Sequence, residues 1–306
     1  MLARVAKNQS ACLRSSLVMS SLQTRGFKAG PQWNDKVVMV VGSGGQVGRE
    51  IVRVLAKELG PERVIATDLP AEKPDVLGDC IYKPLDIRDK EQYRALVKDH
   101  GVTNIIQQAA IISALAEKNI ELAYDVNVTG TYTALNVARE FGCGIFFPTT
   151  MGVFGGNTFN KDCTKVNEVL EPNTIYGVTK AFNELLGTYY HTKFGVDFRC
   201  LRYPGIISSE KYAANGTVSY ITEMFFGALN EGKYECYLRP DTTIPAIYIE
   251  DCVNASLGLV GAERSNLKRC VYHLAGTPMT PAKMEEIVKK MVPGTTVSYK
   301  IDPLRQ

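Results

Sequence analysis

Nowhere in its 306 residues does the chain carry an apolar run near the roughly 18–20 residues of a membrane span; the longest are short pieces such as Val37–Val41. Histidine is scarce, three in all (100, 191 and 273), and the eight cysteines (12, 80, 143, 163, 200, 236, 252 and 270) include no C-x-x-C pair. That pattern spells neither a zinc site nor a disulfide framework, so no metal is expected and a reducing compartment fits. Acidic residues are missing altogether before Asp35, whereas five basic ones (Arg4, Lys7, Arg14, Arg25 and Lys28) precede it. Setting those five aside turns the formal charge of +3 into 30 basic against 32 acidic residues. A body so near neutrality lacks the field that holds a polyphosphate backbone or an anionic surface, so no nucleic acid and no membrane is expected as a partner.

What is present begins with residues 1 to about 30, rich in Ser, Arg and Lys, with Leu2, Val5, Leu13, Leu17 and Val18 spread among the charges. This is the composition of a mitochondrial transit peptide, which points to the matrix; a disordered extension is the plainer alternative. The folded part is expected to begin near Trp33. From there short β-branched runs alternate with helical patterns, the reading of an α/β fold with a doubly wound parallel sheet and helices on both faces. Expected strands are 37–41, 63–67, 104–107, 144–148 and 198–201; expected helices are 47–59, 90–99, 117–140 and 176–194. After Tyr203 prolines punctuate shorter elements, which suggests a nucleotide-binding domain over 34–205 and a substrate lobe over 206–306, interleaved with the sheet at its carboxyl edge.

The first strand runs into Gly42-Ser-Gly44-Gly45-Gln46-Val47-Gly48 and then a helix. Glycines there let the backbone turn tightly and approach a pyrophosphate, which sits on the free N–H groups of the helix start. About 20 residues on, the second strand ends at Asp68, placed to accept from a ribose diol and to repel a 2′-phosphate, so NAD is expected rather than NADP. Read as a mere turn before Pro70, Asp68 has no such role.

The spacing Gly42, Gly45, Gly48 resembles the extended short-chain dehydrogenase/reductase family, and other segments agree. Leu85-Asp86-Ile87 looks like its adenine-contacting turn, Gln108-Ala109-Ala110 like its stretch beside the cofactor ribose, and Asn127 stands where it has an asparagine. The resemblance also places Tyr203 and Ile206 beside the cofactor. Tyr-x-x-x-Lys, the family's catalytic spacing, brings an ammonium near a phenol across one helical turn. It occurs twice, at Tyr176/Lys180 and at Tyr189/Lys193. Thirteen residues, roughly 20 Å of helix, separate the two, so only one reaches the cofactor. Tyr176 follows Pro172 at the helix start and the segment Pro148-Thr-Thr150-Met-Gly-Val-Phe-Gly155, with Thr150 in the family's hydroxyl position. The expected roles are Tyr176 as base, its phenolate favoured by Lys180 and the nicotinamide charge, and Thr150 as donor to the substrate oxygen. As a strand-end hydroxyl, Thr150 could equally cap a turn.

Four segments resemble the threonine-oxidising members of that family: 148–155, Leu201-Arg-Tyr-Pro-Gly-Ile-Ile-Ser208, 241–251 and Tyr299-Lys-Ile-Asp-Pro-Leu-Arg-Gln306. The resemblance spans about 36–306 and implies oxidation of the L-threonine β-hydroxyl by NAD to L-2-amino-3-oxobutanoate, with Ser113 and Thr217 contacting the amino acid. From the residues alone both are ordinary hydroxyls, and Thr217 serves as well for an N-cap of the helix to Asn230. Two departures matter: Asn215-Gly-Thr-Val-Ser-Tyr220 replaces the family's Gly-Gly-Thr-Thr-Asp-Tyr, and the family's Ala-Asp-Ser-Trp-Pro continuation has no counterpart after Gln306. The second implies a substrate pocket open to water. Alternatives are a sugar-nucleotide epimerase or dehydratase, for which Lys211, Lys233 and Arg239 are candidate phosphate partners, and a non-catalytic NAD-binding homologue. A homodimer through helices 117–140 and 176–194 is what the family implies.

Overall fold

The computed structural model describes residues 26–156, 164–209, 217–303 and 305, without the Thr217 side chain. Val38–Val41 (β1) are all buried on both sides, Val38 and Val40 facing one core and Met39 and Val41 the other, as a two-residue side-chain period requires in a covered sheet. Around it lie β2 (Val64–Asp68), β3 (Ile81–Pro84), β4 (Asn104–Gln107), β5 (Gly144–Thr150), β6 (Phe198–Tyr203) and β10 (Val271–His273), in the order β10-β6-β5-β4-β1-β2-β3. All six pairings are parallel. The strand order reverses between β1 and β4, and the crevice beyond their carboxyl ends is where open α/β sheets bind ligands.

One sheet face is covered by α1 (Gln46–Leu59) and α8 (Ile249–Gly261), the other by α2 (Lys90–Asp99), α5 (Gly130–Phe141) and α6 (Ile175–Phe194). Arg199 on β6 fastens α8 from below, its Nη1 donating to the carbonyls of Leu259, Val260 and Ala262 at the helix's end. A smaller core forms between α7 (Tyr220–Glu231) and α9 (Pro281–Met291), joined by Cys236, Leu238 and Ala246. Its strands are β7 (Gly205–Ile207), β9 (Ile244–Tyr248) and β11 (Thr277–Met279) in one sheet, and β8 (Lys233–Cys236) with β12 (Thr296–Tyr299) in another. Among the described residues no helix is long and apolar enough to cross a membrane.

Three expectations change. The helix expected over 117–140 is broken into α3 (Ser113–Lys118), α4 (Ile120–Tyr124), a π turn (Asp125–Thr129) and α5. Asn119 makes the break, with non-helical φ and ψ of −145° and 82° and a side chain that accepts from the Leu122 N–H at 3.0 Å. The folded body also starts before Trp33: Phe27 meets the Trp33 ring edge-on at 5.4 Å and its N–H donates to Asn254 Oδ1 at 2.9 Å. Residues 1–25 of the leader lie outside the described residues. The third change concerns α7, which starts at Tyr220 after Ser219, so Thr217 is not its N-cap.

Candidate active site

The glycine turn and the hydroxyl, phenol and ammonium groups singled out in the sequence line one cavity of about 580 Å³ at the switch point. Gly42, Gly45, Gln46, Val47, Gly48, Gln108, Ala110, Ser113, Thr150, Tyr176, Lys180, Tyr203 and Ile206 all border it. The second Tyr-x-x-x-Lys pair does not: Tyr189 is half exposed on the outer side of α6.

The glycines divide by task. A Cβ on Gly48 would stand 2.2 Å from the Gly42 carbonyl oxygen, and Gly42 has φ +82° with the Ala109 backbone pressed against it, so both serve the turn's own packing. A Cβ on Gly45 would meet only the Gly42 oxygen, at 3.4 Å. Gly45 is also the N-cap of α1, without a side-chain cap, so the first N–H groups of that helix face the cavity. Such a cradle suits a diphosphate. Asp68 braces it from the end of β2, its Oδ2 accepting from Gly44 N–H at 2.8 Å and its Oδ1 from Leu69 N–H. Gln108 adds a buried, unpartnered Nε2 on the β4 side. On these observations the residues present fit a dinucleotide.

Five of the cofactor residues expected from sequence do not border the cavity: Asp68, which braces the glycine turn, and the four that follow. Asp86 is forked by Arg88, with Nη2 to Oδ2 at 2.6 Å, and that pairing holds its carboxyl below the usual range. Ile87 is buried in the core against Gly130. Ala109 abuts Gly42 through its backbone. Asn127, in the π turn, accepts from Ile111 N–H at 2.8 Å and donates to Ile111 O and Thr179 Oγ1, fixing the loop that carries Ala110 and Ser113. Ser113 has φ +40°, the one positive φ of a non-glycine residue among those described. Such a conformation costs about 1–3 kcal/mol and clusters at functional sites.

Tyr176 is placed by the start of α6. Thr174 caps that helix by accepting from Gly177 N–H at 3.0 Å, and Glu117 of α3 accepts from Ile175 N–H at 2.7 Å. One turn on, Lys180 Nζ lies 5.7 Å from the Tyr176 ring centroid and donates to Pro148 O at 2.9 Å. Thr150 Oγ1 accepts from Gly152 N–H at 3.1 Å, so the turn-capping reading holds, yet the hydroxyl's own proton is left for a second oxygen. Tyr203, placed beside the cofactor by resemblance, shares a 2.6 Å hydrogen bond with Ser256 behind the cavity.

Burial dominates the electrostatics of the Tyr176–Lys180 pair. Burial pushes the Tyr176 phenol up to about 12 and the Lys180 ammonium down to about 8. Desolvation by itself therefore opposes the phenolate that Lys180 and the nicotinamide charge are expected to favour. Four further cavity residues carry no local sequence signal: Glu117, Glu223, Phe226 and Arg305 arrive from two helices, α3 and α7, and the chain's last segment. Lys211 lies outside the described residues; Arg239 pairs with Asp241 on the surface.

The chain belongs to the NAD dependent epimerase/dehydratase family, whose pattern matches residues 38–287. Within it the mitochondrial L-threonine 3-dehydrogenase of Bos taurus is 39% identical over 271 residues, 88% of this chain and 72% of that protein. A Staphylococcus haemolyticus protein described only as an epimerase/dehydratase is 36% identical over 271 residues, 88% of this chain and 85% of its own. The L-threonine dehydrogenase of Phytophthora infestans superposes with a TM-score of 0.84 at 36% identity, covering 88% of this chain and 86% of that one.

Proposed function

We propose that this protein oxidises the β-hydroxyl of L-threonine with NAD, yielding L-2-amino-3-oxobutanoate. The observation that carries the reading is the meeting of Thr150, Tyr176 and Lys180 with the glycine cradle on one cavity. Gly45, Gln46 and Val47 would hold the diphosphate, Asp68 the adenosine ribose, and Lys180 the nicotinamide ribose. NAD supplies an acceptor for the hydride that leaves the substrate's β-carbon. Thr150 donates a hydrogen bond to the substrate oxygen, and Tyr176 takes the hydroxyl proton as the C–O bond becomes a carbonyl. Ser113 and Thr217 would flank the amino acid. Among the described residues the charged groups on the lobe side are Glu223 and Arg305, one of each sign, which suits a small zwitterion better than a nucleoside diphosphate.

The test is NADH absorbance from the purified chain with NAD and L-threonine, with Tyr176→Phe as blank and UDP-sugars as competing substrates. Turnover specific to threonine is expected. Turnover of UDP-sugars instead would make the protein an epimerase or dehydratase, and NAD binding without any turnover a non-catalytic homologue.

Two further readings belong to the same proposal. The protein acts as a homodimer, supported by Val178, Phe182, Leu185 and Tyr189, which form an exposed apolar stripe along α6 at helical spacing. It works in the mitochondrial matrix, supported by the acid-free leader and by the mitochondrial relatives of Bos taurus and Sus scrofa.

A further inference from the structure

Beneath the Tyr176–Lys180 pair a second set of charges is sealed from solvent. Glu184, one turn past Lys180 on α6, is 2% exposed, and Arg202 on β6 is 4% exposed. Arg202 forks it, Nε to Oε1 at 2.8 Å and Nη2 to Oε2 at 2.6 Å, while Thr149 Oγ1 donates to the same Oε1 at 2.6 Å. The remaining Arg202 nitrogen, Nη1, donates to Val166 O at 2.7 Å and lies 2.8 Å from His273 Nε2. Burial, Arg202 and Arg269 push the His273 imidazole down to about 4, so it stays neutral and accepts.

A buried ion pair is a poor source of stability, because desolving both charges cancels most of their attraction. Its placement suggests another use. Thr149 precedes Thr150 at the end of β5, Arg202 precedes Tyr203 at the end of β6, and Glu184 shares the inner side of α6 with Lys180. We propose that Glu184 is a positioning residue for the Tyr176–Lys180 pair, locking α6 to the ends of β5 and β6 and presenting a fixed negative charge to the ammonium from inside the fold. The proposal rests on the dehydrogenase reading above.

Titratable groups bearing on Lys180 are Tyr176 and Glu184 on α6 and Cys200 on β6, with Arg202 of β6 reaching it through Glu184 and neutral His273 of β10 behind Arg202; β5 offers the Pro148 carbonyl. Burial holds the Lys180 ammonium down, opposed by its neighbours Cys200 and Glu184. Burial also drives the Cys200 thiol far above its ordinary range, so that thiol is neutral wherever Lys180 titrates. The opposing charge is therefore that of Glu184.

The test reads Lys180 itself. In the full chain carrying lysine labelled with carbon-13 at the ε position, the Lys180 resonance is the one absent from Lys180→Arg. Glu184→Gln removes the negative charge and leaves the Arg202 cation unpaired, so the Lys180 midpoint is expected to fall by about one pH unit or more. Arg202→Gln does the reverse and is expected to raise it. In threonine oxidation Glu184→Gln lowers kcat and moves the alkaline limb of the pH profile down with the midpoint, with NAD affinity within about threefold; Glu184→Asp restores the limb. Midpoints unmoved in both glutamine variants, or displaced the same way, overturn the proposal. Should Glu184→Gln not fold, Arg202→Gln decides alone, a fall or no change overturning it. If the unsubstituted chain does not oxidise threonine, the dehydrogenase reading fails, and the titration still reports separately on the charge.

Discussion

The Lys180 ammonium donates to the carbonyl oxygen of Pro148 at 2.9 Å, which fastens α6 to β5 two residues before Thr150. Held there, almost fully buried, the ammonium is a charge the fold stabilises poorly. Its midpoint near 8 lies below the unfolded value of about 10.5, so between those pH values the unfolded chain binds more protons and stability must rise with pH. Lys180→Met is therefore expected to be more stable than the parent below pH 8, by on the order of 3 kcal/mol, with the difference vanishing toward pH 10.5. Denaturant titrations of both chains at several pH values check this. A constant gap would mean that the ammonium is well compensated where it sits.

Tyr176→Phe removes the proton acceptor but keeps the ring. NADH formation is expected to fall by about a thousandfold or more, with NAD binding and melting temperature nearly unchanged. Because burial raises the phenol, kcat/KM of the parent should climb with pH from 6.5 to about 8, where loss of the Lys180 proton ends the rise. A flat profile from pH 6.5 to 8.5 would remove Tyr176 from the role of base.

The glycine turn offers a paired experiment. Gly48→Ala puts a methyl against the Gly42 carbonyl and should destabilise the fold measurably. Gly45→Ala has room within the protein, so it should melt normally yet bind NAD at least tenfold more weakly, since its methyl occupies the space kept for the diphosphate. Calorimetry with NAD and thermal melts on both variants distinguish the two tasks.

On α6, Phe182→Glu together with Leu185→Glu places charge on the exposed apolar stripe. Sedimentation should move from dimer to monomer, with each monomer still folded. A dimer that survives both changes would have to use another surface.

Phe27 and Ala29 are packed against the main core, so removal of a leader should stop short of them. N-terminal sequencing of the organellar form is expected to find a cut upstream of Gly26. A mature form beginning at Pro31 would have lost the Phe27–Trp33 contact.

Five inner strands of the central sheet were legible because they are covered on both faces and spell themselves as apolar runs, Val38–Val41 most plainly, whereas the partly exposed edge strands β3 and β10 carry no such run. The glycine turn and Tyr176 were legible because local backbone chemistry demands those residue types. Other features depend on distance in the chain. Asn119 reads as one more helical residue until its side chain is seen capping the next turn. The bonds of Asn127 to Ile111 and Thr179, which hold the loop that carries Ser113, are likewise invisible in the local pattern. The balance of charge at Tyr176 depends on how deeply it is buried, which no motif encodes. Glu223 and Arg305 meet the cavity only because the second lobe folds over the sheet's edge.

That lobe is not a separable passenger. Residues 249–261 cover one face of the central sheet, with Cys252, Val253, Leu257 and Val260 in the same core as Val38 and Val40, and β10 completes its edge. A ribosome that has delivered only the glycine turn and the Tyr176 helix has therefore made a sheet with one face partly bare. The nucleotide half must wait for the last third of the chain before it can close, and until then it is a natural client for chaperones.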